Sequence, residues 1–329
     1  MSGSWRRWVE LWDQRESPVS LAAVRILVAL SLLCDLLQAR LRGAVDAVWA
    51  PPPIGSGWGA AATPSPLLVD WFGASAHTAE LAWWLAVVAA LLVLFGLAFR
   101  VSAWLLVFAI VQLWRLTPDG GDGIDALLRI MLPLLALSGA HATWSCDAWL
   151  ARRWGKPLPG AVPAWPRYLM MVQLLWLYFS AAHHRGKASW GPSGGFSAVG
   201  EVLGDPHFAR FFPGSLQAAY PLTQFGTALT MVFEYTAPLY LLWVWIARRP
   251  GRGGRFGDWV RRLRVRWVWL LLGVGLHLGI ALTMQIGMFP FAILALYPAL
   301  LVPDELSLSF QRAGGMLGAK RSAGPSGTF

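Results

Sequence analysis

Glu234 lies in the apolar stretch TALTMVFEYTAPLY and His277 in LLLGVGLHLGIALT. A carboxylate and an imidazole can each take up or release a proton. An ionisable group deep in a hydrocarbon-compatible segment is costly, and is a functional hypothesis by default. Other such groups stand at the ends of apolar runs: Asp35, Asp125 with Arg129, and the consecutive His183, His184 and Arg185. Trp190, Met288 and Phe289 lie close to these in the sequence and could line a pocket for a hydrophobic ligand. Each has a blander reading. Asp125 and Arg129 stand at i, i+4 and can pair on a helix surface. His183 and His184 can be interfacial residues, and aromatic residues at helix ends commonly form a membrane belt. Asp125, Arg129, His183, His184, Trp190 and Met288 are therefore pocket candidates, while Glu234 and His277, being deeper, are candidates for chemistry.

Two further motifs carry no chemistry. Gly191-Pro192-Ser193-Gly194-Gly195 matches G-x-S-x-G, but a nucleophile elbow needs a strand before it and a helix after it. Gly55-Ser56-Gly57-Trp58-Gly59 lacks a Rossmann setting. No H-E-x-x-H occurs, and no metal site is expected.

The elements that must position these residues are set by composition. Of 329 residues, 56% are hydrophobic and 13% charged, against about 25% charged in soluble domains. The charge is concentrated between long apolar runs, several of which reach the ~20 residues needed to cross a bilayer. The 21 tryptophans suit headgroup boundaries. The net charge of +10 lies in short blocks beside apolar runs, which indicates membrane orientation rather than nucleic-acid binding. Met1–Ser17 has no apolar h-region, so no cleavable signal peptide is expected. Instead, Trp5, Trp8, Val9 and Trp12 fall on one helical face, which predicts an amphipathic helix lying on the membrane.

Eight spanning segments are expected: Val19 to about Gln38, Ala79–Phe99, Val101–Leu116 after Arg100, Ala126–Ala140, Trp165–Ala182, Tyr220–Ile246, Trp267–Met284 and Phe289–Val302. The Pro51–Pro53 region reads as loop, and Asp119–Asp125 as an acidic turn. With eight spans the basic groups fall on one side: Arg6, Arg7 and Arg15; Arg100; Arg152, Arg153, Lys156 and Arg167; the arginines from Arg248 to Arg266; and Arg312, Lys320 and Arg321. The positive-inside rule then makes both termini cytoplasmic and opens the polar residues to the outer half of the membrane. Arg40 and Arg42 after the first span, and the basic group after the fifth, are exceptions. Cys34 and Cys146 fall on opposite sides and are not expected to bridge.

Three segments carry a family resemblance: Trp144-Ser145-Cys146-Asp147; Tyr178-Phe179-Ser180-Ala181-Ala182 through to Trp190; and His277 followed by Gln285-Ile286-Gly287-Met288-Phe289. In order and spacing they resemble the HTTM (horizontally transferred transmembrane) family, the membrane core of vitamin K-dependent γ-carboxylase and its bacterial relatives. The resemblance implies a reduced quinone as cofactor, deprotonated in the membrane by a lysine of the second segment. It makes Arg185, Lys187, Glu234 and His277 the catalytic candidates. Arg185 stands at the aligned lysine position, Lys187 lies two residues on, and His141 is one place from a family histidine. Arginine holds an anion but is a poor general base. The carboxylases also continue into a large extramembrane region, whereas this chain ends soon after its last apolar run. Both departures argue against carboxylation.

The sequence thus describes an all-α integral membrane protein with about eight transmembrane helices. Residues 1–17 form an interfacial amphipathic helix, 18–302 the HTTM-like domain, and 303–329 a cytoplasmic tail rich in Gly, Ser and Ala that reads as disordered. A bacterial cytoplasmic membrane is the expected location. Two function classes remain open: a quinone- or lipid-dependent enzyme maturing a secreted peptide, and a non-catalytic transporter-like or assembly protein for a lipid or exported peptide. The expected partners are membrane lipid, a quinone and a secreted peptide, with no nucleic acid.

Overall fold

The computed structural model describes residues 3–57, 65–117, 123–211, 219–248 and 254–306. Asp119 and Asp122 of the acidic turn, Arg249 and Arg252, the tract 58–64 and the tail from residue 307 lie outside the described residues. Among the described residues the fold is mostly helical, with one short antiparallel ribbon of two-residue strands. Its two compact units are Met1–Met170 with Ala295–Phe329, and Met171–Leu294.

The first unit begins with α1 (Gly3–Trp12). Trp5 and Trp8 are exposed on it, and Trp12 meets Trp8 edge-on at 5.3 Å and lies 6.4 Å from Trp165. The strand β1 (Arg15–Glu16) pairs antiparallel with β2 (Val162–Pro163). Between them run α2 (Val19–Leu41), α3 (Ala44–Trp49), α4 (Leu67–Phe72), α5 (Ala76–Phe95), α6 (Phe99–Leu116), α7 (Gly123–Ala136) and α8 (Cys146–Arg153). The boundary between the units falls within α9 (Trp165–His183).

Helix α5 shows how a lipid solvent orders a sequence. Many of its fully buried positions are small, including Ala82, Ala86, Ala89 and Ala90, with Trp83 buried among them and donating to the Leu36 carbonyl at 3.1 Å, whereas Leu81, Trp84, Val88, Leu91 and Phe95 are exposed at helical spacing. Small residues let helices approach closely, and large apolar residues face lipid at no cost. Gly96 then ends α5 in the left-handed conformation, at φ 61°.

This end is stapled from two directions. Arg25 of α2, fully buried, donates from Nη1 to the Val93 and Leu94 carbonyls at 2.9 Å each, and from Nη2 to the Trp144 carbonyl. It thereby satisfies end-of-helix acceptors that lipid could not. Asp147 receives the Ala98 and Phe99 amides at 2.8 and 2.9 Å, holding the start of α6. Arg167 is also buried and forms a two-pronged ion pair with Glu16, at 2.6 and 2.7 Å, and donates to the Ala299 carbonyl at 3.0 Å. Cys34 and Cys146 are free thiols.

The second unit continues with α10 (Ala198–Gly204), α11 (Tyr220–Tyr235), α12 (Leu239–Arg248), α13 (Gly254–Arg262), α14 (Val265–Thr283) and α15 (Phe289–Leu294). Among the described residues, four helices are long and apolar enough to cross a membrane: α2, α5, α6 and α14. A fifth arises if α11 and α12, bent by 65°, count as one broken span.

Several boundaries differ from the sequence expectation. The second apolar run stops at Phe95 rather than Phe99, because Gly96 turns it, and Arg100 lies inside α6 rather than between helices. The expected segment Ala126–Ala140 is α7, which ends at Ala136 and contains Pro133. Helix α9 has spanning length but is not among the apolar four; Arg167, Tyr168, Gln173 and Tyr178 interrupt it. The expected single helix Tyr220–Ile246 breaks at Thr236–Pro238. Proline lacks an amide proton and disfavours helix in the residue before it, and Thr236 turns its hydroxyl onto the Val232 carbonyl at 2.7 Å. The last run ends as a helix at Leu294, followed by a 3-10 turn at Tyr297–Ala299.

Candidate functional site

The break in the α11–α12 pair places Glu234 one residue before a helix end rather than in mid-helix. Its carboxylate is buried, and Oε1 accepts from Arg185 Nη2 at 2.7 Å. Arg185 follows the end of α9, where His184 closes the last turn. Its guanidinium lies over the Trp190 ring, 3.7 Å from the centroid, and Nη1 reaches Met231 Sδ at 3.6 Å. A planar cation fits this setting, with one edge on a carboxylate and one face on an indole. Glu234 Oε2 is buried and has no hydrogen-bond partner among the described residues. A carboxylate oxygen in that position can accept from a ligand donor.

A second polar pair is packed into the same unit. Tyr178 Oη and His277 Nε2 are 2.7 Å apart, and both residues are buried. Aromatic contacts join this pair to the first. Tyr178 meets Phe233, the neighbour of Glu234, edge-on at 4.9 Å; Phe233 stacks on Trp269 at 4.3 Å; and Trp269 Nε1 donates to the Phe233 carbonyl at 3.1 Å. Phe289 lies 6.4 Å from His277. The arrangement is a fixed cation, a carboxylate with one buried, unpartnered oxygen and a tyrosine–imidazole pair, set among aromatic rings. It can stabilise an oxyanion through Arg185 and pass a proton through Tyr178 and His277.

Of the sequence candidates, Arg185, Glu234 and Trp190 come into direct contact, and His277 joins them through the aromatic cluster. Lys187 is exposed at the head of the 3-10 turn Ala188–Trp190. His183 and His184 are exposed; His183 stacks on Phe179 at 6.2 Å, and His184 Nδ1 lies 2.8 Å from the Ser180 carbonyl oxygen. Met288 is half-buried, and its carbonyl accepts the Ala292 amide. Asp125 and Arg129 belong to the first unit. There Trp114 donates to Asp125 at 2.8 Å and lies under the Arg129 guanidinium at 5.2 Å.

Sequence reasoning passed over Phe233 and Trp269, and met Tyr178 only as part of a family-like segment, because apolar-looking aromatic residues give no sign of convergence. It also passed over Arg25, whose signal was plain: a cation inside the run VSLAAVRILVAL. His141 stacks on Phe99 at 5.2 Å in the first unit, and burial pushes its pKa below the ordinary 6.5.

Long apolar helices with lipid-type outer faces, buried and partnered cations, and a polar cluster within one helical unit define a helical membrane protein. The chain matches the HTTM domain over residues 14–248, more than half its length, and belongs to the HTTM family. No solved structure matches it.

Proposed function

We propose that this HTTM-domain membrane protein binds the polar head of a membrane-borne reduced quinone at the Arg185–Glu234 and Tyr178–His277 site, and uses it in maturing a secreted peptide. The observation that carries this reading is the buried Arg185–Glu234 contact roofed by Trp190, with Glu234 Oε2 buried and unpartnered among the described residues. An aromatic wall with a few convergent polar groups suits an aromatic diol on a lipid tail. A reduced quinone supplies an acidic aromatic hydroxyl and two electrons. Glu234 Oε2 would accept from that hydroxyl, Arg185 would supply fixed positive charge, and Tyr178 with His277 would carry the proton. Arg185, held by Glu234, is a positioning group rather than a base.

The non-catalytic reading is favoured by the same ion pair, which leaves no neutral amine at that position. In it the site holds a lipid or an exported peptide without changing it. The eight-span topology, with both termini cytoplasmic, belongs to this proposal. It treats α7, α9 and the Phe289–Ala299 region as crossing alongside the apolar helices, and the bacterial cytoplasmic membrane as the setting.

Mass spectrometry of lipophilic molecules that co-purify with the protein tests the choice. A quinone retained by the native protein and lost from Glu234→Gln supports the enzyme reading. Retention of phospholipid or peptide alone overturns it.

A further inference from the structure

Away from that site, but within the same unit, three arginines converge. Arg261, Arg264 and Arg266 line a cavity of about 150 Å³ with Trp243, Val260 and Trp267, among α12, α13 and α14. Such a volume accommodates a phosphate-sized group. Asp258 accepts from Arg261 Nη2 at 2.5 Å, and its own side chain is largely exposed. Arg261 also donates to the Ile246 carbonyl at 3.3 Å. The residues that line the cavity thus include three arginines and no carboxylate.

Two further observations bear on the occupant. Helix α13 carries Phe256 and Trp259 exposed and stacked at 6.3 Å, with Leu263 exposed just beyond it. Arg255 and Arg262 lie on the same short helix. A short helix with bare aromatic residues and arginines sits at the headgroup boundary of a bilayer. The turn from α13 to α14 places Arg264 in the left-handed conformation, at φ 49° and ψ 40°. That conformation is strained for a residue with a side chain and natural for glycine. Here an arginine occupies it and lines the cavity.

We propose that this cavity binds the phosphate of an acidic phospholipid, whose tails lie against the exposed aromatic face of α13. Basic pockets between membrane helices take lipid headgroups in this way. The diester phosphate sits among Arg261, Arg264 and Arg266, and the neighbouring tryptophans border the glycerol region.

Native mass spectrometry of the full-length protein, titrated with phosphatidylglycerol, phosphatidylcholine or inorganic phosphate, tests this. Phosphatidylglycerol should bind stoichiometrically and in preference to phosphatidylcholine, and inorganic phosphate should not displace it. Arg264→Gly removes the guanidinium while relaxing the backbone. It should weaken phosphatidylglycerol binding about fivefold, as expected for one cation, without lowering the thermal midpoint. Arg262→Gln removes one charge from the same helix outside the cavity lining, and should leave the bound stoichiometry unchanged. Equal binding of both lipids, equal effects of the two variants, or displacement by inorganic phosphate alone would overturn the assignment.

Discussion

Arg185 and Glu234 come from segments 49 residues apart and meet at 2.7 Å. The contact ties a residue just beyond the end of α9 to one just before the α11 break. Removing one partner of a buried pair leaves the other charge uncompensated, which costs more than the pair contributes. Arg185 keeps about a fifth of its side chain exposed, which softens that cost. Glu234→Gln should therefore lower stability by about 2 kcal/mol. Arg185→Met combined with Glu234→Gln should recover part of the loss, read as a non-additive thermal midpoint in a double-mutant cycle. Strict additivity would mean that the two side chains do not interact in the membrane.

Gly96 is expected to be intolerant of any side chain. A Cβ there would approach Arg25 Nη1 to 2.3 Å and Ser145 Cβ to 2.5 Å, at φ +61°. Gly43 also has positive φ, +66°, but has nothing within 4 Å. Gly43→Ala should cost about 1 kcal/mol of backbone strain. Gly96→Ala should cost that plus about 1–3 kcal/mol of overpacking. Thermal unfolding of the two variants in the same detergent compares them. Equal losses would show that Arg25 moves aside freely.

How much of this the sequence disclosed depends on the kind of signal. Span-length apolar runs such as Val19–Leu41 announce themselves through composition. Helix ends set by one residue, such as Gly96 or Pro238, were blurred because the apolar pattern continues through them. Arg40, an exception to the charge bias, is explained by its 2.9 Å contact with Glu80 and its position over Trp83. Arg167, counted with the surface charge, is buried on Glu16. Pairing of this kind depends on partners far along the chain, here 151 residues away. In the candidate site, Glu234 and His277 were visible as isolated polar residues, whereas Tyr178, Phe233 and Trp269 became meaningful only in three dimensions.

The topology proposal makes a directional prediction. Single cysteines placed at Lys187 and Arg255, in a background lacking Cys34 and Cys146, should label differently with an impermeant maleimide on intact cells. Lys187→Cys should react from outside and Arg255→Cys only after permeabilisation. External labelling of position 255 would place the whole arginine cluster on the wrong side.

Efficient glutamate carboxylation is not expected. Purified protein given a reduced vitamin K-type quinone, labelled carbon dioxide and a glutamate peptide should incorporate no label above background. Arg185 is fixed on Glu234 as a permanent cation, and Lys187 is exposed. Robust incorporation abolished by Lys187→Ala would show that the nearby lysine, not position 185, supplies the base.

The most direct test of the account is the affinity of the purified protein for a reduced quinone, followed by quenching of tryptophan fluorescence. Trp190 and Trp269 lie at the site, so occupancy should be reported by a saturable signal. Native protein should bind, and Glu234→Gln and His277→Gln should each weaken binding about tenfold, the ~1.4 kcal/mol expected for losing one hydrogen bond to a charged or buried group. An Asp125→Asn control, altered in the other unit, should bind as the native protein does. Native affinity retained by both Glu234→Gln and His277→Gln would contradict the assignment of this site.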